Sequence, residues 1–362
     1  MKPTLKMRSA IKNTFLDLKE SLYHYNHKKD ALQTLSTIEK EKGKLSESIR
    51  SQCDQYAKNY LGDIRYAPWL YVYSAMQGEF KEGWLPCNYY GLPIVRDIDR
   101  GYAKISELKP VTNQMLRTNK LPDLLYVNND YFIEPGSYHV VSFAQASELL
   151  FSENDTVIFK PNESIRGMGV RTYTRDEWNN NLELRNGVFQ KIIKQHPFFD
   201  NLFPHPGATI RITTGLDSNG KATARSAYIR LGRSNDDSVA KHVQCSNEVR
   251  VVVNIETGEL SDTGYLASWT STQTHPDTHT AFKGLVVPAF KDARQLVEEL
   301  HANYPFVLVI GWDISINEQE QVEIIEWNTA HNDIKFSEAV HGPCFKDILA
   351  HATKKPFLTP AM

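Results

Sequence analysis

Apolar residues recur at steps of three and four near the start of the chain: Ile11, Phe15, Leu18, Leu22 and Tyr25 mark one face of an amphipathic helix. A second helical stretch is expected from about Asp30 to Leu61, with Gly43 as its break. Together they read as a cap packed on its own domain or as an arm for oligomerisation or partner docking. Residues 69–110 mix aromatics with turn formers and show no clean period. Between Leu121 and Leu150 the order is strand, turn, strand, helix, and Ser142 with Gln145 forms a capping box for that helix.

From Val157 the period shortens to two. Strands at 157–160 and 170–173 flank a glycine loop, and Thr174 with Glu177 caps a helix. Strands at 209–214 and 226–231 flank Asp217-Ser-Asn-Gly220, a hairpin turn signal. A further strand spans Val249 to Glu256. A helix from Pro288 to Asn303 carries Phe290, Ala293, Val297 and Leu300 on one face. Strands Val307–Ile316 and Val322–Trp327 and a helical tail close the chain. Sheets interleaved with single helices place the fold in the α+β class, not among doubly wound parallel sheets. The expected division is a helical extension over 1–68, a linking part over 69–150, a β-rich core over 151–345 and a tail over 346–362.

Composition narrows the function. At 362 residues the chain can hold two or three subdomains. Its 41 Lys and Arg against 43 Asp and Glu leave no basic excess for nucleic acid or anionic membranes, so phosphate recognition must be local. The four cysteines, Cys53, Cys87, Cys245 and Cys344, are scattered without a CxxC pair and read as reduced thiols of a cytoplasmic protein. No run approaches the ~18 apolar residues of a membrane span.

Chemistry concentrates in the closing hairpin. With its turn centred near residues 319 and 320, symmetric pairing sets Asp313 opposite Glu326, and period two puts Asn328 on the face of Glu326. Opposed carboxylates between strands as apolar as Val-Leu-Val-Ile-Gly-Trp and Ile-Ile-Glu-Trp-Asn need a proton or a cation between them. An Asp, Glu, Asn set is all oxygen and suits Mg²⁺ or Mn²⁺ better than zinc. The rival reading is an exposed hairpin with solvated charges.

Lys160 ends an apolar strand and precedes a loop containing Arg166, Gly167, Met168 and Gly169, whose glycines allow backbone amides to wrap a phosphate. A strand follows that loop, which excludes a Walker loop or a dinucleotide fingerprint. Arg211 and Arg230 sit inside apolar strands, where a guanidinium needs a partner: a structural carboxylate, or the phosphate or substrate of a nearby site. His275 and His279 have i, i+4 spacing, but Pro276 argues against a helical zinc pair.

In this order the pieces resemble the ATP-grasp superfamily, and within it the sugar-transfer-associated branch. Val157-Ile-Phe-Lys-Pro161, Gln195-His-Pro197, Ala208-Thr-Ile-Arg-Ile-Thr213, Ser226–Arg233, His275-Pro-Asp-Thr278, Gly311-Trp-Asp313 and Ile325-Glu-Trp-Asn328 carry the resemblance, over residues 85 to 345. The resemblance implies two α+β subdomains gripping ATP. Lys160 then contacts the α- or β-phosphate, and Asp313, Glu326 and Asn328 hold Mg²⁺. Arg211 faces the γ-phosphate, and Gln190, Lys191, Ile192 and Ile193 form the hinge that reads adenine. Lys191 stands where the family hinge often has an acidic residue. The earlier nucleotide lysine is Lys109 or Lys120, with Lys109 the better match.

Most ATP-grasp members activate a carboxylate as an acyl phosphate and pass it to an amine. The expectation is therefore an ADP-producing carboxylate–amine ligase acting on small, sugar-linked substrates in polysaccharide biosynthesis. A homodimer or a glycosyltransferase partner would be held through the N-terminal helices. The alternatives are a small-molecule kinase on the same scaffold and a nucleotide-binding regulatory subunit without turnover.

Overall fold

The computed structural model describes residues 5–162, 169–180, 186–203, 208–233 and 247–354, with side chains from residue 16 onward. Two compact units emerge: residues 1–94 with 333–362, and residues 95–332.

The first unit is helical. It contains α1 (Leu5–Lys42), α2 (Glu47–Asn59), α3 (Ala67–Gln77) and α4 (Cys87–Tyr89), joined by α10 (Lys335–His341) and α11 (Lys346–Thr353) from the end of the chain. The expected boundary between two helices near residue 30 does not exist. α1 runs unbroken to Gly43, and α2 starts after Ser46, whose hydroxyl accepts the Ile49 amide. The expected apolar face also needs correction: Leu18, Leu22 and Tyr25 are exposed, while His24, Ala31, Leu35 and Ile38 are buried. The side chains of Ile11 and Phe15 lie outside the described residues. Burial follows α3, against which α1 packs. The buried Glu39 carboxylate joins α1 to α2 by accepting from Lys44 at 2.6 Å, Arg50 at 2.8 Å and the Leu45 amide at 3.2 Å.

α3 has no apolar stripe because it is buried nearly all round, from Trp69 and Leu70 through Val72, Tyr73 and Met76. That is why residues 69–110 look aperiodic in sequence. Glu338 of α10 is fully enclosed, and burial pushes its carboxyl up to about 8 although it accepts the Leu85 and Phe345 amides at 2.7 and 3.1 Å.

The second unit holds two antiparallel sheets. The smaller has β1 (Asp123–Asn128), β2 (Tyr131–Ile133), β3 (Val140–Val141), β4 (Thr156–Pro161), β5 (Arg171–Thr174) and β6 (Gly187–Lys191) in the order β3-β2-β1-β6-β4-β5. Before β1 comes the short helix α5 (Thr112–Leu116). α6 (Phe143–Phe151) and α7 (Arg175–Asn180) flank this sheet. The Ser142–Gln145 capping box forms as expected, and Glu177 accepts both the amide and the hydroxyl of Thr174. The core of this layer is Leu125, Val127, Leu150, Phe159, Trp178 and Phe189.

After α8 (Pro197–Leu202), the larger sheet has β7 (Thr209–Leu216), β8 (Ala222–Leu231), β9 (Val249–Val253), β10 (Leu260–Leu266), β11 (Ser271–Thr272), β12 (Val309–Ile316) and β13 (Val322–Asn328). Its order is β11-β10-β9-β8-β7-β12-β13. The β7–β8 turn is the expected one: Asp217 Oδ1 accepts the amides of Asn219 and Lys221. α9 (Phe290–Asn303) lays Phe290, Ala293, Val297 and Leu300 against the apolar face of the sheet, which Ile210, Ile212, Ile229, Trp312 and Ile314 supply. The α+β class read from the pattern is the class observed.

His301 of α9 ends that core in a polar chain. Trp312 Nε1 donates to Thr214 Oγ1 at 2.8 Å, the Thr214 hydroxyl meets His301 Nδ1 at 2.7 Å, and His301 Nε2 meets Val307 O at 3.1 Å. The neutral ring with Nε2 protonated satisfies every member. Desolvation holds His301 down at about 4, against an ordinary 6.5. A base with a depressed folded value stabilises the fold above its unfolded value and loses that contribution as pH falls. Between pH 6.5 and 4 the urea unfolding free energy should therefore drop by roughly 3 kcal/mol more for the native protein than for His301→Gln. Parallel pH profiles for the two proteins would show that His301 is not held neutral.

Candidate functional site

The face of the larger sheet opposite α9 is polar, and strand alternation builds it. On β12, Ile310, Trp312, Ile314 and Ile316 enter the core, so Gly311, Asp313 and Ser315 point the other way. Asp313 pairs directly with Glu326 of β13 and with Arg211 of β7. The opposed carboxylates thus stand in the expected register, by an unexpected route. Near the turn the hairpin pairs Ile316 with Val322 and Ile314 with Ile324, and an irregularity between Asp313 and Ile314 leaves Ile325 without a partner. This bulge moves Glu326 onto the polar face.

Arg211 answers Asp313 as a fork: Nε reaches Oδ1 at 2.6 Å and Nη2 reaches Oδ2 at 2.7 Å. The third nitrogen, Nη1, donates to the carbonyl of Asn332 at 3.2 Å. Gly311 makes the slot: a Cβ there would lie 3.2 Å from Arg211 Nη1 and 3.1 Å from Asn332 Cβ. Burial alone would push the Asp313 carboxyl up, but Arg211 and then Arg230 outweigh it and hold it below the usual range. Asn328 Nδ2 lies 3.4 Å from Asp313 Oδ2; turning that amide would present its oxygen to the same space. With the amide so turned, away from its bond to Gly311 O, two carboxylates and an amide oxygen would form an all-oxygen set of the kind that fits Mg²⁺ or Mn²⁺.

Arg230 reaches Asp313 Oδ1 at 3.5 Å but donates through Nε to Glu248 at 2.8 Å. Arg230 is also directly opposite Arg250. Glu248, almost wholly buried, bridges the two guanidinium groups, which hold its carboxyl low against the opposing effect of burial.

Two lysines approach from the other side. Lys160, at the end of β4, is buried and donates to the carbonyl of the bulged Ile325 at 3.4 Å. Desolvation pulls its ammonium pKa down, while Glu326, Asp123 and Asp313 act in the opposite sense. Gly187 lets β6 run close beside it, since a Cβ would lie 2.4 Å from Lys160 O. Lys109 Nζ is 3.8 Å from Glu326 Oε1 and donates to Asn162 O at 3.1 Å. Lys120, the other candidate for that role, has an exposed side chain.

Gln190 and Lys191 end β6. Gln190 donates to Asp123 Oδ1 at 2.7 Å, and Lys191 pairs with Glu323 of β13 at 3.2 Å. Ile192 and Ile193 follow outside the strand. Of the loop after Lys160, Gly169 is described, at φ +83°; Arg166, Gly167 and Met168 lie outside the described residues. His275 is buried, with Nε2 2.9 Å from Gly232 O and Nδ1 accepting from Asp277 N–H.

Sequence reasoning missed Glu248, Arg250 and Asn332. Alternation could have placed Arg250 on the polar face, because Val249, Val251 and Val253 alternate with it. Asn332 gave no signal; its side-chain oxygen and nitrogen are both buried without a hydrogen-bond partner among the described residues. Removing one member of a buried, hydrogen-bonded charge cluster costs roughly 3–5 kcal/mol. Glu248→Ala should lose about that much in chemical denaturation, because Arg230 and Arg250 then face each other across the strands. A loss under about 1 kcal/mol would mean that Glu248 does not hold this pair.

Part of the chain is similar to a known family. The profile described as sugar-transfer associated ATP-grasp matches residues 179–354. No curated protein matches in sequence. Among solved structures, the chain is similar to the ATP-grasp ligase PsnB complexed with minimal precursor, at 14% identity over 70% of this chain and 64% of that one, with a TM-score of 0.41. It is also similar to biotin carboxylase from Campylobacter jejuni, at 12% identity over 91% and 70%, TM-score 0.45. A third is N5-carboxyaminoimidazole synthase from Aspergillus clavatus, at 10% identity over 71% and 54%, TM-score 0.41. The chain thus spans less than two thirds of the first and third of these, and likenesses this distant carry no functional argument. Asp313, Glu326, Asn328, Arg211 and Arg230 all lie inside the segment that matches the sugar-transfer associated ATP-grasp profile.

Proposed function

We propose that the protein is an ATP-dependent carboxylate–amine ligase, acting in the cytoplasm on a carbohydrate-linked substrate during polysaccharide biosynthesis. The observation that carries this reading is the pairing of the buried Asp313 with the half-exposed Glu326 on a face that also bears Arg211 and Asn328, with Lys109 and Lys160 reaching the same strand. Six groups of this kind answer the needs of a triphosphate and its cation, and a purely structural hairpin needs none of them. The family match supports ATP as the nucleotide. Among the described residues no helix is long and apolar enough to cross a membrane.

In this reading Lys160 and Lys109 neutralise the phosphates, and Gln190 to Ile193 hold the base. Mg²⁺ held by Asp313, Glu326 and Asn328 would supply charge neutralisation between the β- and γ-phosphates. The acceptor carboxylate attacks the γ-phosphorus as its bond to the bridging oxygen breaks, and ADP leaves with that electron pair. An amine then attacks the acyl carbon, phosphate departs, and the amine nitrogen loses a proton. Arg211, buried beside Asp313, would turn part of its fork toward the transferring group and stabilise it. No side-chain nucleophile is required.

ADP release with Mg-ATP across a panel of uronic acids and amino acids tests the proposal. An acceptor-dependent rate should appear and fall by at least about 100-fold in Asp313→Asn and in Glu326→Gln. Hydroxylamine should divert the intermediate to a hydroxamate. A phosphate ester untouched by hydroxylamine would instead identify a kinase, and ADP release unaffected by both substitutions would place the chemistry elsewhere.

A further inference from the structure

The even charge balance of the whole chain conceals a basic segment at its start. Residues 1–30 hold seven Lys and Arg against three acids, Asp17, Glu20 and Asp30. Two of those acids are engaged inside the first unit: Glu20 lies 3.5 Å from Arg65 Nη1 and 3.8 Å from His24 Nε2, and Asp30 accepts from Lys335 at 2.9 Å. Lys19, Lys28 and Lys29 are exposed. What this part of α1 presents to solvent is therefore mainly cationic.

The same helix exposes a row of apolar side chains. Leu18, Leu22 and Tyr25 are 66%, 57% and 63% exposed, and at 3.6 residues per turn they fall within an arc of about 60°. In sequence the row extends back to Phe15 and Ile11, whose side chains lie outside the described residues. It runs forward through Lys29 to Leu32, 41% exposed. The packed face, with His24, Ala31, Leu35 and Ile38, lies on the other side of the helix. Lys19 flanks the row on one edge and Lys28 on the other. Ammonium groups so placed can reach headgroups while their stems lie along apolar surface. A helix with an apolar row edged by lysines lies in the plane of a bilayer interface and does not cross it.

We propose that α1 docks on the surface of a bilayer that contains anionic phospholipids. Leu18, Leu22 and Tyr25 enter the boundary between headgroups and acyl chains, and Lys19, Lys28 and Lys29 meet the lipid phosphates. The amphipathic ring of Tyr25 suits that depth. Charge selects this occupant over a second copy of the chain. Each copy carries the same basic excess, and in a parallel pair Lys29 would meet its own counterpart inside the seam. An anionic bilayer neutralises all of these lysines, and its acyl region receives the apolar row without a matching set of knobs and holes. The nucleotide site proposed above lies in the other unit, so the two proposals stand or fall separately.

The test is flotation of the full chain with vesicles of phosphatidylcholine alone and of phosphatidylcholine with about one third phosphatidylglycerol. The native protein should partition onto the anionic vesicles at least about 10-fold more strongly than onto the neutral ones, and added salt should weaken that binding. Leu18→Asp combined with Leu22→Asp should lower partitioning onto anionic vesicles by about 10-fold or more. Lys19→Glu combined with Lys28→Glu should remove the preference for phosphatidylglycerol. All four positions are exposed, so thermal unfolding of both variants should match the native protein. Val286→Asp, at an exposed apolar residue of the other unit, should float as the native protein does. Native protein that stays unbound, or that floats no better than the Leu18→Asp, Leu22→Asp variant, would overturn the proposal. Equal binding to neutral and anionic vesicles would overturn it too. A protein that does not float but sediments as a dimer dissociated by Leu22→Asp would assign the face to a second copy instead.

Discussion

Asp313, buried, and Glu326, half-exposed, face each other across β12 and β13, and like charges so placed repel unless cations stand beside them. The fold provides those cations from three directions. Arg211 comes from the neighbouring strand β7 as a two-toothed fork, Lys109 comes from the turns before β1, and Lys160 comes from the end of β4. The arrangement binds the two sheets of the larger unit electrostatically around one point. It also leaves a set of oxygens suited to a divalent ion and a set of ammonium and guanidinium groups suited to phosphate.

The bulge at Ile325 does three things at once. It turns Glu326 onto the polar face, keeps Glu323 on the same face three residues earlier, and frees the Ile325 carbonyl to receive Lys160. Without it the period of two would send one of the two acids into the core formed with α9. Sheet geometry and site chemistry are here the same fact, since one extra residue in β13 sets which carboxylates share a face.

Much of this was legible in residue order. The hairpin register, the β7–β8 turn, the helix faces of α6 and α9 and the α+β class all follow from local patterns of period two or 3.6 and from turn chemistry. Symmetric pairing predicts the same register from a simpler hairpin: the ladder near the turn centres on Gln319, and the bulge supplies the offset that brings Asp313 to Glu326. What local pattern could not supply is equally specific. α3 is buried on all sides and so has no polar face to define a period. α1 buries His24 and Glu39 while exposing Leu18 and Leu22, because polar residues with partners can serve a core as apolar ones do. Glu248 and Glu323 read as ordinary charges until the strands that flank them are paired, since their roles come from Arg230, Lys191 and Asn317, remote in sequence or across a turn, as well as from the nearby Arg250.

The central claim is that the polar face of β12 and β13 holds a nucleotide together with a divalent cation. Mn²⁺ titrated into the protein with a non-hydrolysable ATP analogue, and followed through its free-ion signal by electron paramagnetic resonance, addresses this without any acceptor substrate. The account predicts nucleotide-dependent Mn²⁺ binding that weakens by at least about 10-fold in Asp313→Asn and in Glu326→Gln. Binding of equal strength in the native protein and both variants would contradict it.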